Sequence, residues 1–244
     1  MPHWVTWTFA CLAVTMAGFV RAYGGFGFSM IAAVSLSLVY PPVQIVPAVV
    51  MLEVVASLLL LPGVRRQVDW ISLKRLMAGV LVGTPLGAWV LAAVPADPMR
   101  GGMALVVAAL AATLLTGWRL KRMPGRAFVA GTGLVSGLLN GAAAIGGPPA
   151  ILLFFSSPAG DSVSRATLIA FFLFTDILAA GTCAGLGLIN METMTLVGVC
   201  LLPMGIGLVL GKRAFGQQPS LGFRRNVLIL LLALSAAAGA RALW

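Results

Sequence analysis

Charge is scarce in this chain: 9% of its 244 residues are Asp, Glu, Lys or Arg, and six are acidic. Soluble domains carry roughly a quarter charged residues, so this level, with 60% hydrophobic residues and a mean hydropathy of +1.05, describes a polytopic membrane protein. Histidine occurs once, at His3 near the N-terminus, and no HExxH or GxGD motif is present. A metal or acid–base enzyme therefore has no constellation to work with; no catalytic residue, metal or cofactor is expected, and the chain is read as not an enzyme. Cys11, Cys183 and Cys200 all fall inside apolar runs without a CxxC pair, which excludes a disulfide framework and a thiolate metal site. The opening MPHWVTWTFA has no Lys or Arg before its apolar stretch, so a cleaved signal peptide is not expected.

What the chain does contain is apolar runs joined by short basic loops. The formal net charge of +10 comes from Lys and Arg clustered at 64–75, 119–126 and 212–225, as Arg65, Arg66, Lys74 and Arg75; Arg119, Lys121, Arg122 and Arg126; and Lys212, Arg213, Arg224 and Arg225. Such loops anchor spans at the lipid surface, and with no polar domain to carry it nucleic-acid binding is not expected. Apolar runs long enough to span lie at about 43–62, 76–94, 102–118, 166–186, 194–211 and 226–243. Gly79, Gly83 and Gly87 offer a small face for close helix packing, and Pro85 is expected to kink its span.

Two further runs, 2–40 and 127–157, are interrupted. The first is broken at Arg21-Ala22-Tyr23-Gly24-Gly25-Phe26-Gly27 and the second at the end of SGLLNGAAAIGGPPAILLFF, residues 136–155, where Gly146-Gly147-Pro148-Pro149 follow Asn140 and Gly141. Gly tolerates backbone angles that a helix forbids and Pro removes a donor, so the helical ladder must stop at each point. Gly18 aligns with Gly137, Arg21 with Asn140, Gly27 with Gly146, and Pro85-Leu86-Gly87 with Pro203-Met204-Gly205, at offsets of 118 to 119 residues. This indicates an all-α fold of two pseudo-symmetric repeats, about 1–122 and about 123–244, each with one broken helix and three transmembrane helices. Helix is expected to restart at Gly27-Phe28 and at Pro149-Ala150, presenting N-termini to an anion.

The full length, the duplication and the two broken motifs resemble the TauE/SafE sulfite exporter family. That resemblance implies a multi-pass protein of the bacterial inner membrane and a secondary transporter, in the export direction, of sulfite or a small organosulfonate such as sulfoacetate. Small carboxylates are the alternative substrates, and an anion channel the alternative mechanism. The substrate-binding candidates are Arg21, Tyr23, Gly24, Gly25, Gly27, Asn140, Gly141, Gly146, Gly147, Pro148, Pro149 and Arg165.

For each of the sharper candidates a plainer role stands beside the functional one. Arg21 either grips a sulfonate bidentately or snorkels, or pairs with a carbonyl or acid. Asn140 either completes the site or makes a helix-packing hydrogen bond. Arg165 is an interfacial anchor or a second anion contact. Glu53 and Asp176, both mid-span, either bind a coupling proton or serve as structural partners of a buried arginine. The partners are thus the anion, the bilayer and a coupling proton, with a homodimer left open.

Topology has two readings. If the broken segments cross, there are eight spans; if they dip and return, each repeat crosses three times and the repeats are inverted. The re-entrant reading puts all three basic loops, with twelve of the sixteen Lys and Arg, on one side, which the positive-inside rule makes cytoplasmic.

Overall fold

The computed structural model describes residues 3–116, 124–155, 160–214 and 221–242. Among them it contains ten α-helices and no strand: α1 His3–Gly24, α2 Phe28–Ser37, α3 Pro42–Leu60, α4 Trp70–Ala93, α5 Ala96–Leu115, α6 Arg126–Ala143, α7 Gly147–Phe155, α8 Asp161–Gly185, α9 Met191–Ala214 and α10 Leu221–Ala242. Among the described residues, five stretches are long and apolar enough to cross a membrane: Trp4–Gly24, Pro42–Gly63, Trp70–Ala93, Ser162–Gly185 and Met191–Ala214. The chain is an all-helical integral membrane protein. Arg119, Lys121, Arg122, Ser157 and Pro158 lie outside the described residues, as do the side chains of Arg224 and Arg225.

Several boundaries differ from the sequence reading, each for a local reason. The helix expected from residue 76 starts six residues earlier because Asp69 caps it, accepting hydrogen bonds from the N–H groups of Ile71 and Ser72 at 3.1 Å each. Lys74 and Arg75 are therefore helical rather than loop residues. Between the apolar runs 76–94 and 102–118, residues 96–101 already belong to α5, where Asp97 complements the helix dipole and pairs with Arg100 at 2.7 Å. Helix α7 begins at Gly147, two residues before the expected Pro149, since prolines in a first turn give up donors that have no intrahelical acceptor. Helix α4 continues as one element through Pro85, as α3 does through Pro47 and α9 through Pro203.

Two close helix pairs organise the bundle. Gly79, Gly83 and Gly87 of α4 lie against the carbonyls of Ala130, Leu134 and Leu138 of α6, so the two helices run parallel with backbones in contact. Gly207 and Gly211 of α9 lie in the same way against the carbonyls of Thr15 and Phe19 of α1, again parallel. Any side chain at these glycines would collide with backbone, so the small residues permit the approach. Helix α3 packs on α8, and α5 on α10.

Other contacts bring distant chain positions to common levels. Tyr40, just after α2, meets Trp7 near the start of α1 at 6.2 Å between ring centroids. Arg100 donates to the carbonyls of Ser37 (2.9 Å) and Tyr40 (3.3 Å), joining the end of α2 to the start of α5. The Asp69 N–H donates to Thr167 Oγ1 at 2.9 Å, which ties the α3–α4 connection to the early turns of α8.

Candidate anion site

Helix α1 stops at Gly24 because Gly25 and Gly27 adopt φ of +81° and +96°, left-handed values that the restart at Phe28 requires. Helix α6 stops in the same manner: its cap residue, Ala144, has φ +55°. The Gly25 N–H donates to the Arg21 carbonyl and the Ala144 N–H to the Asn140 carbonyl, both at 2.8 Å. All ten residues of α2 are buried, so the short helix after the first break is held entirely by protein.

Arg21 and Asn140, one turn before the two stops, each reach 36 residues ahead. The Arg21 guanidinium, with 0% of its surface accessible, donates from Nη2 to Ser57 Oγ and from Nη1 to the Gly25 carbonyl, both at 2.9 Å. Its Nη2 also stands 3.0 Å from Glu53 Oε1. Asn140 donates to Asp176 Oδ1 at 2.7 Å and accepts the Gly146 N–H at 3.2 Å, so one amide clasps both α8 and the second break. Ser29, in the first turn of α2, lies beside the Glu53 carboxylate. Arg21 and Glu53 are the charged groups facing Asp176. Arg21, Glu53, Asn140 and Asp176 therefore form one buried cluster spanning α1, α3, α6 and α8.

The remaining candidates divide. Arg165 is drawn to the first break: its Nη2 donates to the Ala22 carbonyl at 2.8 Å, and its side chain fills the space a Cβ on Gly25 would need. A guanidinium on the last carbonyls of α1 also complements the negative end of that helix's dipole. Gly146 packs on Asn140, where an added Cβ would stand 2.7 Å from the Ser136 carbonyl. Gly147, Pro148 and Pro149 form the first turn of α7. Gly141 sits on the α4–α6 seam against the Thr84 carbonyl, a packing position. Tyr23 stacks on Phe19 at 6.0 Å, and a Cβ added on Gly24 would meet the Phe26 ring at 3.7 Å.

Two residues that the sequence reading passed over complete the cluster. Ser57 takes an Arg21 hydrogen bond, and the Phe172 ring lies with its centroid 4.5 Å from Arg21 Cζ. A sequence signal existed for both: Ser57 and Asp176 differ by 119 positions, as do Glu53 and Phe172, the offset that relates Arg21 to Asn140.

A charged, fully enclosed cluster held between interrupted helices, inside an all-helical membrane bundle, has the construction of a membrane transporter. Residues 10–238 match the family model described as "Sulfite exporter TauE/SafE", and the chain belongs to that family. It is 28% identical over 196 residues, 78% of this chain and 76% of the relative, to the probable sulfite/organosulfonate exporter TauE of Cupriavidus necator. It is 29% identical over 194 residues, 76% of this chain and 78% of the relative, to the probable inner membrane transporter protein TsaS of Comamonas testosteroni. No solved structure matches the chain. The family consists of transporters, and the chain is a multi-pass membrane transporter rather than an enzyme.

Proposed function

We propose that this protein exports sulfite or a small organosulfonate across the bacterial inner membrane, holding the anion between the two breaks with Arg21 as its principal ligand. The observation that carries this is the burial of Arg21 at the first break with its Nε lacking a partner among the described residues. A guanidinium offers donors in the planar fork that sulfonate oxygens match. Complete enclosure of the charge supports a carrier that alternates between closed and open forms, since a channel needs a continuous path past its charged groups.

The first segment is read as a re-entrant hairpin, α1 with α2, and the second as another, α6 with α7. The Trp7–Tyr40 contact supports this, because it returns the end of α2 to the level at which α1 begins. Arg100 supports it too, linking the end of α2 to the start of α5 on that same side. Three crossings per repeat then leave α3–α4, α5–α6 and α9–α10 connections together on the cytoplasmic, basic side. The parallel pairs α4–α6 and α1–α9 exchange under the repeat operation, as inverted repeats require. In that register Gly87 corresponds to Gly211, since each meets the carbonyl of one of the equivalent pair Leu138 and Phe19. The alignment of Pro85-Leu86-Gly87 with Pro203-Met204-Gly205 is accordingly replaced by a register six residues longer.

Glu53 supplies the coupling in this reading. Arg21 and Glu53 neutralise each other in the closed form, with Asp176 the other acid in the cluster. An anion that takes over Arg21 strands a carboxylate in a dry site, and a proton on Glu53 removes that cost. One proton thereby accompanies the anion.

The test is thermal-shift binding of purified protein to sulfite, sulfate, sulfoacetate, taurine and acetate, for wild type and Arg21→Ala. Stabilisation by sulfite or sulfoacetate that disappears in Arg21→Ala supports the reading, because a ligand of the folded state raises its apparent stability by mass action. Equal responses in both proteins overturn it. The topology is tested by labelling single cysteines placed after Trp244 and at Gln217: an external Gln217 site with a cytoplasmic C-terminus overturns the re-entrant arrangement.

A further inference from the structure

Arg21 has no accessible surface, so an anion reaches it only after a neighbouring group moves. Among the described residues, the guanidinium contacts the Gly25 carbonyl, the Ser57 hydroxyl, the Glu53 carboxylate and the Phe172 ring. Displacing any of the first three strands a buried polar or charged group. Displacing the ring forfeits only a cation–π contact and apolar packing, the smaller loss. A phenyl ring also needs only two torsions to swing.

The same ring lies at the second break. An added Cβ on Gly147 would stand 2.9 Å from Phe172 Cζ, so the missing side chain at the start of α7 is what makes room for it. Phe172 thus lies between the one buried guanidinium of the cluster and the first residue of α7, and its own surface is 1% accessible. It occupies the position that corresponds to Glu53 at the 119-residue offset, so equivalent sites flank Arg21 with a charge on one side and an apolar cover on the other.

We propose that Phe172 is the gate and the size filter of the anion site: its ring covers Arg21 in the closed form, turns aside to admit the anion, and limits how large a group the sulfur can carry. The proposal rests on the reading of Arg21 as anion ligand. Specificity by an apolar wall follows the volume the wall leaves, and a removed ring enlarges that volume while every charged group of the pocket stays in place.

Wild type, Phe172→Leu, Phe172→Ala and Phe172→Trp are reconstituted, and transport of sulfite, methanesulfonate and benzenesulfonate is compared. Phe172→Ala and Phe172→Leu raise the benzenesulfonate-to-sulfite ratio by roughly tenfold or more, and Phe172→Trp lowers it. Leu preserves most of the packed volume, so the ratio is readable even where Ala does not fold. A merely structural role lowers all three rates together and leaves the ratio fixed. Fixed ratios in the folded variants, with Arg21→Ala failing to bind sulfite, overturn the gate and leave the anion site standing. Wild-type sulfite binding by Arg21→Ala overturns the site, and the gate with it. A shift in the same direction for Leu and Trp also overturns the size filter.

Discussion

The two breaks end their first helix in the same way and differ in chemistry. Each ends a helix with a left-handed residue four positions after the polar side chain that reaches to a helix 36 residues on. At the first break the reaching residue is charged and its partners are Ser57 and Glu53; at the second it is the neutral Asn140 and its partner is Asp176. The first clasp therefore carries a cation, the group that anchors the anion on the proposed reading. The second holds an amide that braces its own backbone. On the two-repeat reading and the proposed anion role of Arg21, duplication kept the way the first helix ends while the side chains took different tasks, charge recognition on one side and support on the other.

Substitutions separate those tasks. The largest effect is expected for Arg21→Met, which leaves Glu53 buried without its counter-charge and costs about 3–5 kcal/mol in unfolding experiments in detergent. Adding Glu53→Gln to Arg21→Met restores most of that stability and none of the anion binding. Recovery of both would show that Arg21 serves the fold alone.

Glu53→Gln by itself addresses coupling. Anion and proton leave together in the proposed cycle, so acidifying the inside of wild-type proteoliposomes accelerates anion efflux. The variant carries no titrating group at residue 53 and loses the acceleration. Efflux that follows the gradient equally in both proteins removes Glu53 from the proton path. The charged groups facing Glu53 from the neighbouring helices are Arg21 and Asp176, so Asp176→Asn is the companion measurement.

Asn140→Ala should act on stability more than on recognition. It strands the Asp176 carboxylate and the Gly146 N–H, each now held by the amide, at a cost of about 1–3 kcal/mol. Sulfite affinity falls less than in Arg21→Ala; an equal loss would make the two breaks equal partners in binding. The smallest effect belongs to Ala144→Gly. Ala at φ +55° carries a left-handed penalty that glycine avoids, partly offset by glycine's greater freedom when unfolded. A net stabilisation of about 0.5–1 kcal/mol is expected, with transport unchanged.

The sequence by itself determined the membrane class, flagged the two Gly- and Pro-rich stretches near which α1 and α6 end, and picked out Arg21, Glu53, Asn140 and Asp176 among the buried polar residues. Each of these is written in local composition: apolar runs of spanning length, glycines and prolines that a helix cannot absorb, and charges too costly to be incidental. It misjudged where α4, α5 and α7 begin, because Asp69, Asp97 and two first-turn prolines extend helices through residues that resemble loops. Only the tertiary structure decided what each polar residue faces. Arg21 meets Glu53 and Ser57 from 32 and 36 positions away, and Phe172 from 151, separations that the packing of α1, α3 and α8 closes and that no local pattern encodes. It also decided that Gly141 serves the α4–α6 seam while Gly146 and Gly147 serve the break, since three glycines within seven residues look alike in sequence and differ only in which neighbour occupies the space a side chain would take.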